Sequence, residues 1–329
     1  MKKITIIGGG AWGSTIAQVL ADNKKEILIY DINKEYINKI NQHKHPCFDV
    51  LLSDKIKATD DLKKALDFSD FIFLSVPAQS MRNLFQKINQ NLTLGKNFIN
   101  LSKGIEFKSN KIISQIIQEE ISANKIKNYA FLAGPSHAEE VVLRKITFLN
   151  AVSLNQKFAL AISQMCSNET YLKVSTLSDV AGCEICSSVK NALAFISGIL
   201  DNSRFLTNAR SAFITFSLIE MKKILILFLN INSTETFLSL VGIGDLIVTV
   251  FNKNSRNYKA GKQIQMGESL EQIYNKTTQV IEGIYNLKVF YHLAVKNKVN
   301  LPIIESAYKA VFDKNASVND ILFNIFNKY

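Results

Sequence analysis

The spacing Gly8-x-Gly10-x-x-Gly13 constrains this chain more than any other feature of it. The glycines follow directly on Ile4-Thr5-Ile6-Ile7, a β-branched run with the composition of a buried parallel strand. They open onto Thr15 to Ala21, which places Ile16, Val19 and Leu20 on one helical face. A second apolar run, Ile27 to Tyr30, ends in Asp31, eighteen residues beyond Gly13. Strand, glycine turn, helix and a strand closed by an acid make one dinucleotide-binding unit. Gly8 suits the tight turn, Gly10 lets the backbone approach a pyrophosphate, and Gly13 lets helix pack on strand. The helix N-terminus then offers free N–H groups and partial positive charge to phosphates.

Asp31 admits two readings. A carboxylate at that place hydrogen-bonds ribose hydroxyls and repels a 2′-phosphate, which favours NAD over NADP. Ile32 and Asn33 supply no arginine for such a phosphate, and Lys34 is the nearest cation in sequence. Alternatively, Asp31 caps a helix that begins near Asn33. The expectation leans to NAD.

Further alternating units follow. Phe71–Leu74, Asn97–Leu101 and Tyr129–Ala133 read as strands, with a helix over Ser80–Ile88. Ligands of open α/β sheets sit beyond the carboxyl ends of the strands. These strand ends therefore deliver Pro77, Lys103 and Gly134 to one rim. Lys103 reads either as a solvated loop lysine or, set between a strand end and Gly104, as a binding residue.

From about Asp179 strand signals give way to helical ones, so 329 residues divide into a sheet domain at 1–178 and a helical domain at 179–329. Ser178 or Asp179 would cap a helix reaching Leu200, with Val189, Ala192, Leu193, Ile196 and Leu200 as its apolar stripe. Lys190 lies off that stripe. Its neighbours one and two turns away are Cys183, Cys186, Ser187, Ala194 and Ser197, all small. Either the small residues permit close packing and Lys190 escapes to solvent, or they leave it room to enter a cavity. In a cavity its reduced hydration would suit acid–base work. Downstream, Ser255-Arg256-Asn257 combines a hydroxyl, a planar cationic fork and an amide, good chemistry for a phosphate group.

The formal charge of +11 invites a nucleic-acid reading, but the chain has only five arginines and no basic block with interleaved aromatics. A positive field still attracts an anionic metabolite. Four cysteines do not make a disulfide framework. The apolar run after Lys2-Lys3 breaks at once into glycines, and Ile224–Leu229 is far short of the ~20 residues that span a bilayer. The expectation is a cytoplasmic protein.

In order along the chain, Gly8-Gly9-Gly10-Ala11-Trp12-Gly13, Ser102-Lys103-Gly104, Gly134-Pro135-Ser136-His137-Ala138, Val189-Lys190-Asn191, Asn208-Ala209-Arg210, Gly242-Ile243-Gly244-Asp245-Leu246, Ser255-Arg256-Asn257 and Val280-Ile281-Glu282-Gly283 resemble the bacterial NAD(P)-dependent glycerol-3-phosphate dehydrogenase family. The resemblance implies a Rossmann-type dinucleotide-binding domain, an all-helical C-terminal domain and an active site between them. It implies reversible reduction of dihydroxyacetone phosphate to sn-glycerol 3-phosphate, supplying phospholipid synthesis, and a homodimer. By motif, Lys190 would be the proton donor and acceptor at the substrate C2 oxygen. Lys103 and Asp245 would hold the substrate and orient that lysine. Arg256 and Asn257 would take the phosphate, with Gly134, Ser136 and Ser255 completing the substrate contacts. The cofactor would meet Gly8, Gly10, Ala11, Trp12, Gly13, Asp31, Lys103, Ala138, Arg256, Val280 and Glu282.

The chain departs from the family pattern at Ala11, where a hydroxyl residue is usual, and at Ile32-Asn33, where a basic pair is common. It departs again at Arg144-Lys145, where a Leu-Pro pair is usual. His43, His45 and Cys47 resemble a metal cluster, yet structural zinc needs four ligands and no partner pair lies elsewhere. Cys183 and Cys186 fall inside a helix and read as buried small residues, and His137 reads as a helix-start residue. Two rivals remain. A β-hydroxyacid or 6-phosphogluconate type dehydrogenase would carry asparagine one turn after the lysine, where this chain has Ala194. A nucleotide-sensing module without turnover would have no use for Lys190, Asp245 and Arg256 together.

Overall fold

The computed structural model describes residues 2–202, 204–229, 234–277, 281–313 and 318–328. Two compact units emerge: Met1–Glu106 with Lys111–Cys183, and Phe107–Asn110 with Glu184–Tyr329.

The first unit is built on one sheet. Its strands are β1 (Lys3–Ile7), β2 (Glu26–Tyr30), β3 (Ile56–Thr59), β4 (Phe71–Leu74), β5 (Lys96–Asn100), β6 (Ile126–Ala133), β7 (Thr147–Val152) and β8 (Leu172–Leu177). Their order is β3-β2-β1-β4-β5-β6-β7-β8. Pairing is parallel through β6, antiparallel between β6 and β7, and parallel again to β8. The first six strands thus follow the dinucleotide-binding order, with the reversal between β1 and β4. Helices α1 (Ala11–Asp22), α2 (Lys34–Asn41), α3 (Leu62–Phe68), α4 (Met81–Asn91), α5 (Ile113–Glu120), α6 (Ala138–Val142) and α7 (Gln156–Cys166) complete the unit.

Alternation along each strand sends side chains to two faces, and both are covered, as a parallel sheet requires. On one face Ile4, Ile6 and Ile29 pack with Ile16, Val19 and Leu20 of α1 and with Phe158 and Ile162 of α7. On the other, Ile7, Ile72, Leu74 and Phe98 pack with Leu66, Phe85, Ile88 and Ile117 of α3, α4 and α5. Arg144, one of the departures noted above, ends α6 with a positive φ of 57° and forms a bidentate pair with Asp22 of α1, both contacts at 3.0 Å.

The second unit is helical among the described residues. It holds most of α8 (Val180–Leu200), then α9 (Thr207–Leu229), α10 (Thr234–Phe237), α11 (Asp245–Val250), α12 (Arg256–Gln265), α13 (Leu270–Asn275), α14 (Glu282–Asn297), α15 (Pro302–Phe312) and α16 (Val318–Lys328). Asp179 caps α8, its Oδ1 accepting the Gly182 N–H at 2.9 Å. Among the described residues α8, rather than the Ile224–Leu229 run, is the helix long and apolar enough to cross a membrane, but that apolar stretch is wholly buried inside the protein. It crosses α12 at backbone contact: a Cβ on Gly261 would stand 1.9 Å from the Phe195 carbonyl oxygen. On the α9 side, the buried Glu220 carboxylate caps α15 by accepting the Ile303 and Ile304 N–H groups at 2.5 and 3.1 Å.

Candidate active site

In the first unit the glycine turn is set by contact. A Cβ on Gly13 would lie 1.9 Å from the Gly8 carbonyl oxygen, so helix and turn can close only on a glycine there. A Cβ on Gly10 meets no protein atom within 4 Å, so the space over the turn is open. Helix α1 starts at Ala11, four residues before the start at Thr15 read from the sequence, with Ala11, Trp12 and Gly13 forming its first turn. Their N–H groups lack carbonyl partners within the helix and face the open end. A cradle of this form, free of side chains and ending in helix N–H donors, fits a dinucleotide pyrophosphate.

Asp31 sits at the end of β2 with its carboxylate pinned on both oxygens. Oδ2 accepts the Gly9 N–H at 2.5 Å and Oδ1 the Asn33 N–H at 2.8 Å. The alternative in which Asp31 caps the next helix is corrected: Asn33 is the cap of α2, its side chain accepting from Glu35 and Tyr36. Asp31 ties the glycine turn to the end of β2 and still presents lone pairs at the rim.

Lys103, Gly134 and Ser136 come together at the ends of β5 and β6. Lys103 Nζ donates to the Gly134 carbonyl at 3.4 Å and Ser136 Oγ donates to it at 3.0 Å. Ala138 opens α6 behind His137. Its carbonyl oxygen lies 3.5 Å from Thr15 Oγ1 on α1, so the two helix starts adjoin.

In the second unit Lys190 does not escape to solvent. It is 5% exposed, and its Nζ donates to Asp245 Oδ1 at 2.5 Å and to Thr249 Oγ1 at 2.9 Å. Asp245 is 1% exposed and is the first residue of α11, entered through a wide helical turn over Leu240–Gly244. Thr249 donates its own proton to the Asp245 carbonyl at 2.6 Å, which leaves its oxygen free to accept from the lysine. Sequence reasoning missed Thr249. Its spacing four residues after Asp245 on a helix was the available signal, since such residues share a face. A buried ammonium needs a partnered charge, and the small trough of Cys183, Cys186, Ser187, Ala194 and Ser197, all fully buried, gives it room.

Beside this cluster the starts of α12 and α14 meet α8. Ser255 caps α12 by accepting the Tyr258 N–H, and Arg256 is that helix's exposed first residue. Asn257 Oδ1 accepts the Gly283 N–H at 2.9 Å, leaving its amide N–H groups as donors. A Cβ on Gly283 would stand 2.4 Å from the Asn191 carbonyl oxygen, which brings α14 against the residue next to Lys190. Glu282 is the first residue of α14. Val280 lies outside the described residues.

His43, His45 and Cys47 do not share a site. His45 turns inward and spends both ring nitrogens on protein partners, while Cys47 is exposed. Cys183 and Cys186 are fully buried within α8.

Comparison with known proteins agrees with this geometry. Residues 3–159 match the model of the NAD-dependent glycerol-3-phosphate dehydrogenase N-terminus and residues 179–322 that of its C-terminus. A glycerol-3-phosphate dehydrogenase [NAD(P)+] of Phytoplasma mali is 49% identical over 326 residues, covering 99% of this chain and 97% of its own. One from Onion yellows phytoplasma is 50% identical over 311 residues, 94% of each chain. The crystal structure of glycerol-3-phosphate dehydrogenase from Coxiella burnetii superposes with a TM-score of 0.88 at 25% identity, covering 99% of this chain and 98% of that one. With both halves matched and the glycine cradle and buried lysine in place, the chain belongs to the NAD-dependent glycerol-3-phosphate dehydrogenase family.

Proposed function

We propose that this oxidoreductase reduces dihydroxyacetone phosphate reversibly to sn-glycerol 3-phosphate with NAD(P)H, feeding phospholipid synthesis. The observation that carries the reading is the buried Lys190–Asp245–Thr249 cluster. Reduction of a ketone builds negative charge on the C2 oxygen, and a positioned acid lowers that barrier. The Asp245 carboxylate favours the ammonium form of Lys190, so the lysine enters the reaction carrying the proton that the oxygen needs. Asp245 and Thr249 fix where Nζ points. In the oxidative direction the same lysine, having given up its proton, takes one from the alcohol.

The phosphate falls to Ser255, Arg256 and Asn257, where a hydroxyl, a guanidinium fork and amide N–H donors stand at the start of α12. Lys103, Gly134 and Ser136 are assigned to the substrate as well. Gly8, Gly10, Ala11, Trp12 and Gly13 hold the pyrophosphate, with Lys103, Ala138, Arg256, Val280 and Glu282 as further cofactor residues. When bound, the nicotinamide supplies or takes the hydride. Asp31 favours NAD over NADP, because an ionised carboxylate at the end of β2 repels a 2′-phosphate. We assign the reaction to the cytoplasm and to a homodimer in which residues 1–178 serve the cofactor and 179–329 the chemistry.

The deciding experiment follows NADH oxidation with dihydroxyacetone phosphate in the wild type and in Lys190→Ala. Turnover in the wild type and a loss of roughly a thousandfold in kcat in the variant are expected. Cofactor binding without turnover in the wild type would make the chain a sensor and end this reading.

A further inference from the structure

Beside the glycine turn, His45 is buried to 3% exposure on a segment that no proposed step uses. Its Nδ1 accepts the N–H groups of Cys47 and Phe48 at 3.2 and 3.1 Å, which curls residues 45–48 around the ring. The Phe48 ring stacks on the imidazole at 4.7 Å. With Nδ1 committed as acceptor, the ring proton belongs to Nε2. Nε2 lies 3.2 Å from the Ala11 carbonyl oxygen and 3.3 Å from Thr15 Oγ1. Thr15 in turn donates to the Ala11 carbonyl at 2.7 Å. One carbonyl in the first turn of α1 therefore takes two side-chain donors besides its place in the helix.

That carbonyl belongs to the same planar peptide unit as the N–H of Trp12, so fixing the direction of one fixes the other. Two donors on the oxygen also polarise the unit and strengthen its N–H as a donor. We propose that His45 is a positioning residue for the cofactor: it holds the Ala11–Trp12 peptide so that the Trp12 N–H is aimed at the dinucleotide phosphate. The histidine touches no cofactor atom. It fastens residues 43–52 to the start of α1 and acts through the backbone, at the position where this chain has Ala11 and so lacks a side-chain hydroxyl to offer the phosphate.

This inference rests on the cofactor assignment above, and the test separates the two. NADH affinity is measured by fluorescence titration, and KM and kcat by turnover, for the wild type, His45→Asn and His45→Gln. Asparagine keeps an acceptor near the place of Nδ1 and loses the reach to Ala11; glutamine keeps a donor near the place of Nε2. Loss of one hydrogen bond predicts NADH binding about fivefold weaker in His45→Asn, a matching rise in KM for NADH, and kcat at saturation unchanged. His45→Gln binds close to the wild type. Equal weakening in both variants reduces His45 to a structural residue and overturns the proposal, as does unweakened binding in His45→Asn. If His45→Asn does not fold, Thr15→Val removes the second donor on the same carbonyl and leaves residues 43–52 alone. A threefold loss of affinity there supports the mechanism, and none overturns it. A wild type that does not bind NADH refutes the cofactor assignment itself and takes this inference with it.

Discussion

The glycine cradle and the lysine cluster achieve rigidity by opposite means. The cradle is almost all backbone: a glycine where helix meets turn, free N–H groups at a helix start, and Asp31 pinned by two more N–H groups. The lysine cluster is all side chain, an ammonium and a carboxylate drawn into a helical core and joined by one hydroxyl. Backbone donors carry partial charges and give up little hydration on binding an anion. A buried ion pair forfeits much hydration and holds only while both charges are present. The cradle should therefore fail through sterics and the cluster through charge.

Asp245→Asn breaks the comparison at its most sensitive point. It leaves the Lys190 ammonium buried without a counter-charge, and such losses run to about 3–5 kcal/mol. Thermal unfolding should show a large fall in Tm, with kcat lost and NADH affinity nearly kept. A variant as stable as the wild type would mean that the pair is not what holds Lys190 inside.

Gly13→Ala tests the cradle by volume instead of charge. The added methyl would stand 1.9 Å from the Gly8 carbonyl oxygen, a backbone atom that cannot swing aside. About 3 kcal/mol of stability and most NADH binding should go together. Retained binding at reduced stability would show that the turn tolerates a wider gap than its geometry implies.

Acid should weaken the first unit at His45. Burial holds its imidazole down to about 4, below the ordinary value of 6.5, with the Ala11 carbonyl opposing the shift. The folded protein thus keeps this histidine neutral while the unfolded chain takes up a proton. Stability is full above the unfolded value and falls as pH drops from about 6.5 towards 4. The loss from this residue amounts to about 2 kcal/mol between pH 7 and pH 5. The groups near it are Thr15, the Cys47 and Phe48 N–H groups and the Lys39 ammonium, which donates to the Pro46 carbonyl at 3.4 Å. Denaturant titrations of the wild type and His45→Gln across that range isolate the effect; parallel pH curves would remove it.

The smallest effect sharpens the cradle's selectivity. Replacing Asp31 with alanine removes the charge that would repel a 2′-phosphate, so the ratio of kcat/KM for NADH over NADPH should fall about tenfold. An unchanged ratio would leave the carboxylate as a tie between Gly9 and Asn33 and nothing more.

Much of this was legible before folding, because it is written in local spacing. The run Ile4–Ile7, the three glycines and the run ending in Asp31 dictated strand, turn, helix and strand, since period and glycine placement act over a few residues. Strands β3, β7 and β8 were not read in advance. Ile56–Thr59 is four residues with two polar ones, and Leu172–Leu177 carries lysine and serine on its open side. Pairing with neighbours distant in sequence makes them strands. Asp31 was open between a ribose-binding carboxylate and the cap of α2; its oxygens take the Gly9 and Asn33 N–H groups, and Asn33 caps the helix.

What the sequence determined alone is the cofactor-binding turn and the family, because a nucleotide cradle needs glycine at fixed offsets and ordered motifs leave a trace in linear spacing. What only the tertiary structure decided is the fate of two side chains. Lys190 was open to both solvent and core, and Asp245, fifty-five residues away, holds it inside. His45 had the look of a stray ligand until folding set it under the Ala11 carbonyl, thirty-four residues before it. Hydrogen bonds and ion pairs reach only a few ångströms, so residues far apart in sequence take part in them only after the backbone has brought them together.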